Sequence, residues 1–129
     1  MSHWRTRLEL RGVRYDIYFL VKEGRCPTDE FMEGLATGDV QTHRKVVNDL
    51  RKTAGNGLSQ SDERCKQLEP DLWELKPSSQ ARLFFIKRGR QLLFIDAYKK
   101  QRDRLDPEKL KRARRIRDEY LRGLKEGTQ

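Results

Sequence analysis

Lys76, Arg82, Tyr98 and Lys100 are the side chains of this sequence best placed to do chemistry, and the chemistry they suit is at phosphorus. They lie within the run WELKPSSQARLFFIKRGRQLLFIDAYKK at 73–100, which reads as two apolar strands joined by a short basic turn, with cations near the strand ends. Arg82 shares a face with Phe84 and Ile86, opposite Ala81, Leu83 and Phe85. An arginine inside an apolar strand is costly if buried alone, so it must snorkel, pair with Asp96 or open onto a ligand, and its planar fork fits a phosphate. On the next strand Leu92, Phe94, Asp96 and Tyr98 are expected to share one face, which Lys100 continues. If register allows, Arg82, Tyr98 and Lys100 converge on one side of the sheet, with Lys76 before the Pro77 turn as a fourth member. Plainer roles compete: packing for Tyr98, solvation for Lys76, Lys99 and Lys100.

Such a group can cleave RNA without a metal. The RNA 2′-hydroxyl attacks the adjacent phosphate, and the protein supplies a base or orienting group, cations for the extra charge on phosphorus, and a donor for the departing 5′-oxygen. Lysine, arginine and tyrosine cover those roles. No metal and no cofactor is expected. The chain has no HExxH, no GxSxG, no Gly-rich phosphate loop between a strand and a helix, and no close acid cluster for two-metal hydrolysis. Cys26 and Cys65 lack partners at CxxC or CxxH spacing, which argues against structural zinc. His3 and His43 have no acid nearby in sequence, and His43 sits at a core-like helical position.

The charge balance points the same way. Lys and Arg number 29 against 20 Asp and Glu, a formal net charge of +9, which favours polyanions such as RNA, DNA or an anionic membrane surface, or an acidic protein that neutralises the patch. Arg90 in the turn, Lys99, Arg102, and Lys111 on the basic C-terminal helix are the further candidates for nucleic-acid contact. The first residues, MSHWRTRLELRG, carry charge where a signal peptide needs an apolar run, and no stretch reaches transmembrane length, so the expected location is cytoplasmic.

The elements that must hold these residues follow from spacing. At 129 residues the chain suits one domain. Residues 1–11 read as a frayed or loosely docked lead-in, or an early strand extension. From Val13 to Val21 every second residue is apolar, the period of a half-buried strand. Thr28 can cap a helix whose short apolar side is Phe31, Met32 and Leu35; Gly38 ends it, and Asp39 caps a second helix facing inward through Val40, His43, Val47 and Leu50. After the Gly-, Asn- and Ser-rich stretch 53–62 come three strands, about 71–76, 80–87 and 90–98, on hairpin connections, with Gly89 able to take a positive φ. Asp106 and Pro107 start a final helix with Leu110, Ala113, Ile116, Tyr120, Leu121 and Leu124 along one side. The expected fold is α+β: strand, two helices on one face, a three-strand meander and a C-terminal helix around a small antiparallel sheet. Residues 12–125 form the domain, and 126–129 a disordered tail.

The run LWELKPSSQARLFFIKRGRQLLFIDAYKKQRDRLDPEKLKRARRIRDEYL resembles the second half of the phage Gp49-like group of toxins, within the RelE, HigB and ParE superfamily. The matching features are an aromatic-acid-leucine-basic strand at Trp73 to Lys76, an arginine and aromatic strand at Arg82 to Phe85, a strand ending in a lysine pair at Tyr98 to Lys100, and a helix with an alanine a few residues after a proline, at Pro107 to Ala113. With the first strand and helical hairpin in the family order, the resemblance covers nearly everything after residue 12. It implies a RelE-like fold and a bacterial type II toxin, whose RelE and HigB relatives cleave mRNA in the ribosomal A site without a metal. A cognate antitoxin, expected to be of helix-turn-helix type, would neutralise it. Carried over by position, Arg82 matches the strand arginine that contacts the scissile phosphate, Lys100 falls where RelE has an arginine proposed as proton donor, and Lys76 is the nearest counterpart to basic residues before the preceding turn. Trp73 and Leu75 stand where RelE has two lysines, the catalytic tyrosine after the last strand has no clear match unless Tyr98 substitutes, and the HigB histidines near the last strand are missing, leaving Asp96 and Tyr98 there. Two other classes stay open: a ParE-like inhibitor of DNA gyrase, and a nucleic-acid-binding module with no catalysis.

Overall fold

A computed structural model describes residues 3–101 and 105–127. The elements are β1 (Arg5–Leu10), β2 (Asp16–Val21), α1 (Pro27–Gly38), α2 (Val40–Asn56), β3 (Cys65–Glu69), β4 (Leu72–Leu75), β5 (Ala81–Arg88), β6 (Gln91–Lys99) and α3 (Pro107–Lys125). The strands form one six-stranded sheet in the order β1-β2-β6-β5-β4-β3. It is mixed, not antiparallel as expected from the hairpins: β2 and β6 run parallel, with Ile17 opposite Leu92 and Phe19 opposite Phe94. Hairpin reasoning reads only sequential neighbours. The long excursion from β2 through both helices and three strands gives β6 the length of chain that a parallel return needs.

Strand β3 lies beyond those expected, and β1 takes the strand alternative left open for the lead-in; both are edges. The lead-in holds β1, which pairs antiparallel with β2, and β3 pairs with β4. RTRLEL and CKQLE lack a clean apolar alternation because an edge strand has a neighbour on one side only and buries little; β1 is exposed along nearly its whole length. The lead-in is nevertheless well anchored. Trp4 is buried, and its indole Nε1 donates to Glu119 Oε1 on α3 at 2.8 Å.

The alternation from Val13 also starts too early. Val13 is 81% exposed, and the strand begins at Asp16. The segment before it is pinned to the end of α2 instead: Arg14 and Tyr15 N–H both donate to Ala54 O. Gly12 lies so close to that turn that a Cβ there would stand 2.3 Å from the same oxygen.

Helices α1 and α2 cover one face of the sheet, over Ile17, Phe19, Leu83, Phe85 and Phe94. Helix α3 covers the other, where Ala113, Ile116 and Tyr120 pack on Leu20, Phe84, Ile86, Leu93 and Ile95. Central strands β5 and β6 are therefore buried on both faces, which explains their continuous apolar runs. Gly89 makes their turn at φ +60°.

Helix starts follow local chemistry with one exception. Asp39 caps α2 by accepting from Thr42 N–H and Oγ1, and Asp106 caps α3 by accepting from Glu108 N–H. Thr28 does not cap α1: Cys26 is the N-cap, Pro27 the first helical residue, and Thr28 Oγ1 is buried with no hydrogen-bond partner among the described residues. The inward stripe of α2 is rotated by about one residue from the expected one, through Thr42, Val46, Asp49, Leu50 and Thr53, with Val40 out in solvent. Of the expected tail, Glu126 still donates its N–H to Arg122 O, and the last two residues lie outside the described ones, as does Arg102.

Candidate functional site

The site is built by one irregularity in β6. Ala81 to Phe84 pair with Lys99 to Asp96, and Phe85 to Arg88 with Phe94 to Gln91, so Ile95 is an extra residue between them. This bulge reverses the side-chain alternation. Leu92 and Phe94 belong to the core under the helical hairpin, whereas Tyr98 belongs to the core under α3, and Asp96 is bound there by Arg112. The single face expected for Leu92, Phe94, Asp96 and Tyr98 is thus split in two. A bulge leaves no mark on an apolar run, so period-two reasoning passes straight through it.

Arg82 and Tyr98 are consequently direct cross-strand partners. In the β4–β5 ladder Glu74 faces Phe84 and Leu75 faces Leu83; one step further sets Lys76 opposite Arg82. With the register continued one residue past the end of β4, Lys76, Arg82 and Tyr98 line up on the α3 face, with Glu74, Phe84 and Asp96 as the row behind. Lys100 extends the same face, its backbone N–H held by Gln80 O.

The side chains of the row are well fixed. Arg82 is 8% exposed and its Nη1 donates to Ser78 O and Ala81 O, both at 2.8 Å. No carboxylate among the described residues forms an ion pair with it; Asp96, the expected alternative, is taken by Arg112. Tyr98 is 5% exposed, stacks on Phe84 with centroids 5.8 Å apart, and accepts a long hydrogen bond from Asp106 N–H. Burial pushes its phenol above the usual range, and the nearby Glu74 charge adds to this, so it stays protonated at neutral pH. Lys76 Nζ donates to Asp62 O at 3.0 Å and stands 3.9 Å from Glu74 Oε1. Glu74 is buried at that point, and nothing in the spacing of its neighbours marks it.

The other candidates lie elsewhere. Lys99 points to the hairpin side, where its Nζ is 3.1 Å from Asp39 Oδ2. Arg90 sits at the opposite end of β6, donating to Gly12 O and Val13 O, with Asp16 alongside. That guanidinium holds the β1–β2 connection. Lys111 is exposed on α3.

Beside the row an open cleft of about 990 Å³ runs between the starts of α1 and α3 and the end of β6, and Tyr98 and Lys100 line it. Arg25, Lys99, Lys109, Arg112 and Arg115 also line it, but four cations around it already have carboxylate partners: Arg25 with Glu30, Lys99 with Asp39, Arg112 with Asp96, Arg115 with Glu119. Among the described residues, Lys100 and Lys109 have none within ion-pair distance, so the local excess charge is concentrated next to the row.

Spacing in the sequence gives no reason to single out Arg112, nor to pair it with Asp96. Asp96 had a signal, an acid alone within the apolar run from Leu92 to Ala97, which requires a buried partner; nothing in the spacing says which of the many helix cations supplies it.

Among the described residues no helix is long and apolar enough to cross a membrane. No curated protein matches the chain. The family described as phage-derived protein Gp49-like (DUF891) matches residues 33–118, from within α1 to within α3, and so includes every residue of the row and both members of the Asp96–Arg112 pair. The chain belongs to this Gp49-like family, a toxin-like family in the RelE/HigB superfamily.

Proposed function

We propose that this protein is the toxin of a type II toxin–antitoxin pair, a metal-independent endoribonuclease that cuts mRNA on the ribosome. The observation that carries the reading is the cross-strand pairing of Arg82 with Tyr98, with Lys100 following on the same face and Lys76 one register step away. In this reading Arg82 and Lys76 neutralise the charge that builds on the phosphate as the 2′-hydroxyl attacks, and Tyr98, protonated, orients that hydroxyl. Lys100 gives its proton to the departing 5′-oxygen, and the hydroxyl proton leaves to water. The partner is a cognate antitoxin of helix-turn-helix type, encoded beside it, and the site of action is cytoplasmic.

Expression followed by primer extension on a translated message tests this. Codon-phased cuts are expected, falling by about 100-fold or more in Arg82→Ala, the scale seen when one donor to developing charge is removed. Uncut messages, or an Arg82→Ala chain that behaves like the parent, would rule the reading out.

A second reading is favoured by one observation: Arg82 and Tyr98 are both more than nine-tenths buried and already engaged by backbone groups. A protein-binding toxin that inhibits DNA gyrase needs no open nuclease site. Trapped gyrase complexes in a supercoiling assay, with message left intact, would select it.

A further inference from the structure

We propose that Arg112, acting through Asp96, is the positioning residue that sets the register of the candidate site; the assignment rests on the nuclease reading above. Asp96 is 1% exposed, so its charge is tolerable only with full compensation. Compensation is complete. Arg112 donates from Nε to Oδ2 at 2.5 Å and from Nη2 to Oδ1 at 2.6 Å, a bidentate fork, and Oδ1 also accepts Ala97 N–H at 2.9 Å.

The last bond matters most. At a bulge the ladder is interrupted and backbone donors lose their cross-strand acceptors. Asp96, the residue after Ile95, turns its carboxylate to accept the N–H of Ala97, the residue after that, and Arg112 supplies the opposite charge that fixes the carboxylate in this place. The pair therefore stabilises the bulged register over the regular one. In the regular register Tyr98 and Lys100 would fall with Leu92 and Phe94 under the helical hairpin, away from Arg82, since one residue of slip moves every side chain to the other face. Helix α3 thus does more than cover the sheet: its Arg112 holds the residues that would act on the phosphate on their correct side.

The test compares this clamp with another anchor of the same helix, Glu69 on β3, which takes Arg114 at 2.9 Å and Arg117 at 2.6 Å and does not touch β6. Asp96→Asn and Arg112→Gln are expected to lower kcat by about 100-fold, the cost of misplacing reacting groups by an ångström. Kd for an uncleavable 2′-O-methyl RNA should stay within about twofold. Both variants should also lose the cross-strand nuclear Overhauser contact between Arg82 and Tyr98, while Glu69→Gln keeps both the contact and kcat. Should Asp96→Asn not fold, Arg112→Lys decides, because it keeps the charge and loses the fork; its kcat should fall part of the way with the contact weakened. Retention of the contact in the clamp variants overturns the proposal, as does an equal loss in Glu69→Gln. If the parent never cuts RNA the nuclease reading fails alone, and the Overhauser contact still tests the clamp.

Discussion

At the residue scale, the decisive feature is how polar groups enter a buried face. Arg82 tolerates burial because main-chain oxygens take its Nη1, and Asp96 because Arg112 takes both its oxygens. Asp39 is the surface counterpart. Hydrogen bonds from Thr42, then Lys99, hold its carboxyl at about 2, below the ordinary aspartate range. A carboxylate lowered by folding contributes stability that is present above its unfolded value and disappears as pH falls through the folded one. Asp39→Asn should therefore be less stable than the parent at pH 6, with the difference shrinking between roughly pH 4 and pH 2 as the parent's carboxylate protonates. Urea midpoints for both chains across that range check it, and a difference that persists at pH 2 would mean the cap acts by shape and not by charge.

At the element scale, the connections carry as much as the strands. Gly12 is where the β1–β2 connection crosses the last turn of α2, and a Cβ there has nowhere to go because the neighbour is backbone. Gly12→Ala should destabilise by about 1–3 kcal/mol, the usual cost of forcing atoms into a packed contact, measurable by chemical denaturation. Gly24, with open space at its Cβ position, is unsuitable as a control because its φ of +75° strains any substitution for another reason; Gly34 is a better one. Helix α3 depends on Ile116, 1% exposed against the sheet. Ile116→Ala should cost about 2–5 kcal/mol. If the clamp at Arg112 holds α3 in place regardless, the row should keep its register in this variant.

At the scale of the whole molecule, the net charge of +9 overstates the field at the site, since most cations around the cleft are neutralised locally. If an RNA strand meets Lys76, Arg82 and Lys100 and little else, about three phosphate charges are neutralised, and log K should fall with log salt at a slope of about −2. Binding of a 2′-O-methyl RNA across a salt series measures it; a slope of about −6, as nine free charges would produce, would mean a broad basic surface and not this cleft. Much of the molecule was readable from residue order alone. Both central strands, the Gly89 turn and the Asp39 and Asp106 caps followed from period, turn chemistry and capping, which depend on near neighbours in the chain. The edge strand β3 did not, and β1 only as one of two readings of the lead-in, because edges bury too little to need an apolar pattern. Nor did the parallel return of β6 to β2, the bulge at Ile95 or the choice of Arg112 as partner to Asp96. Those are decided between segments far apart in sequence, by which arrangement leaves no buried charge or backbone donor without a partner.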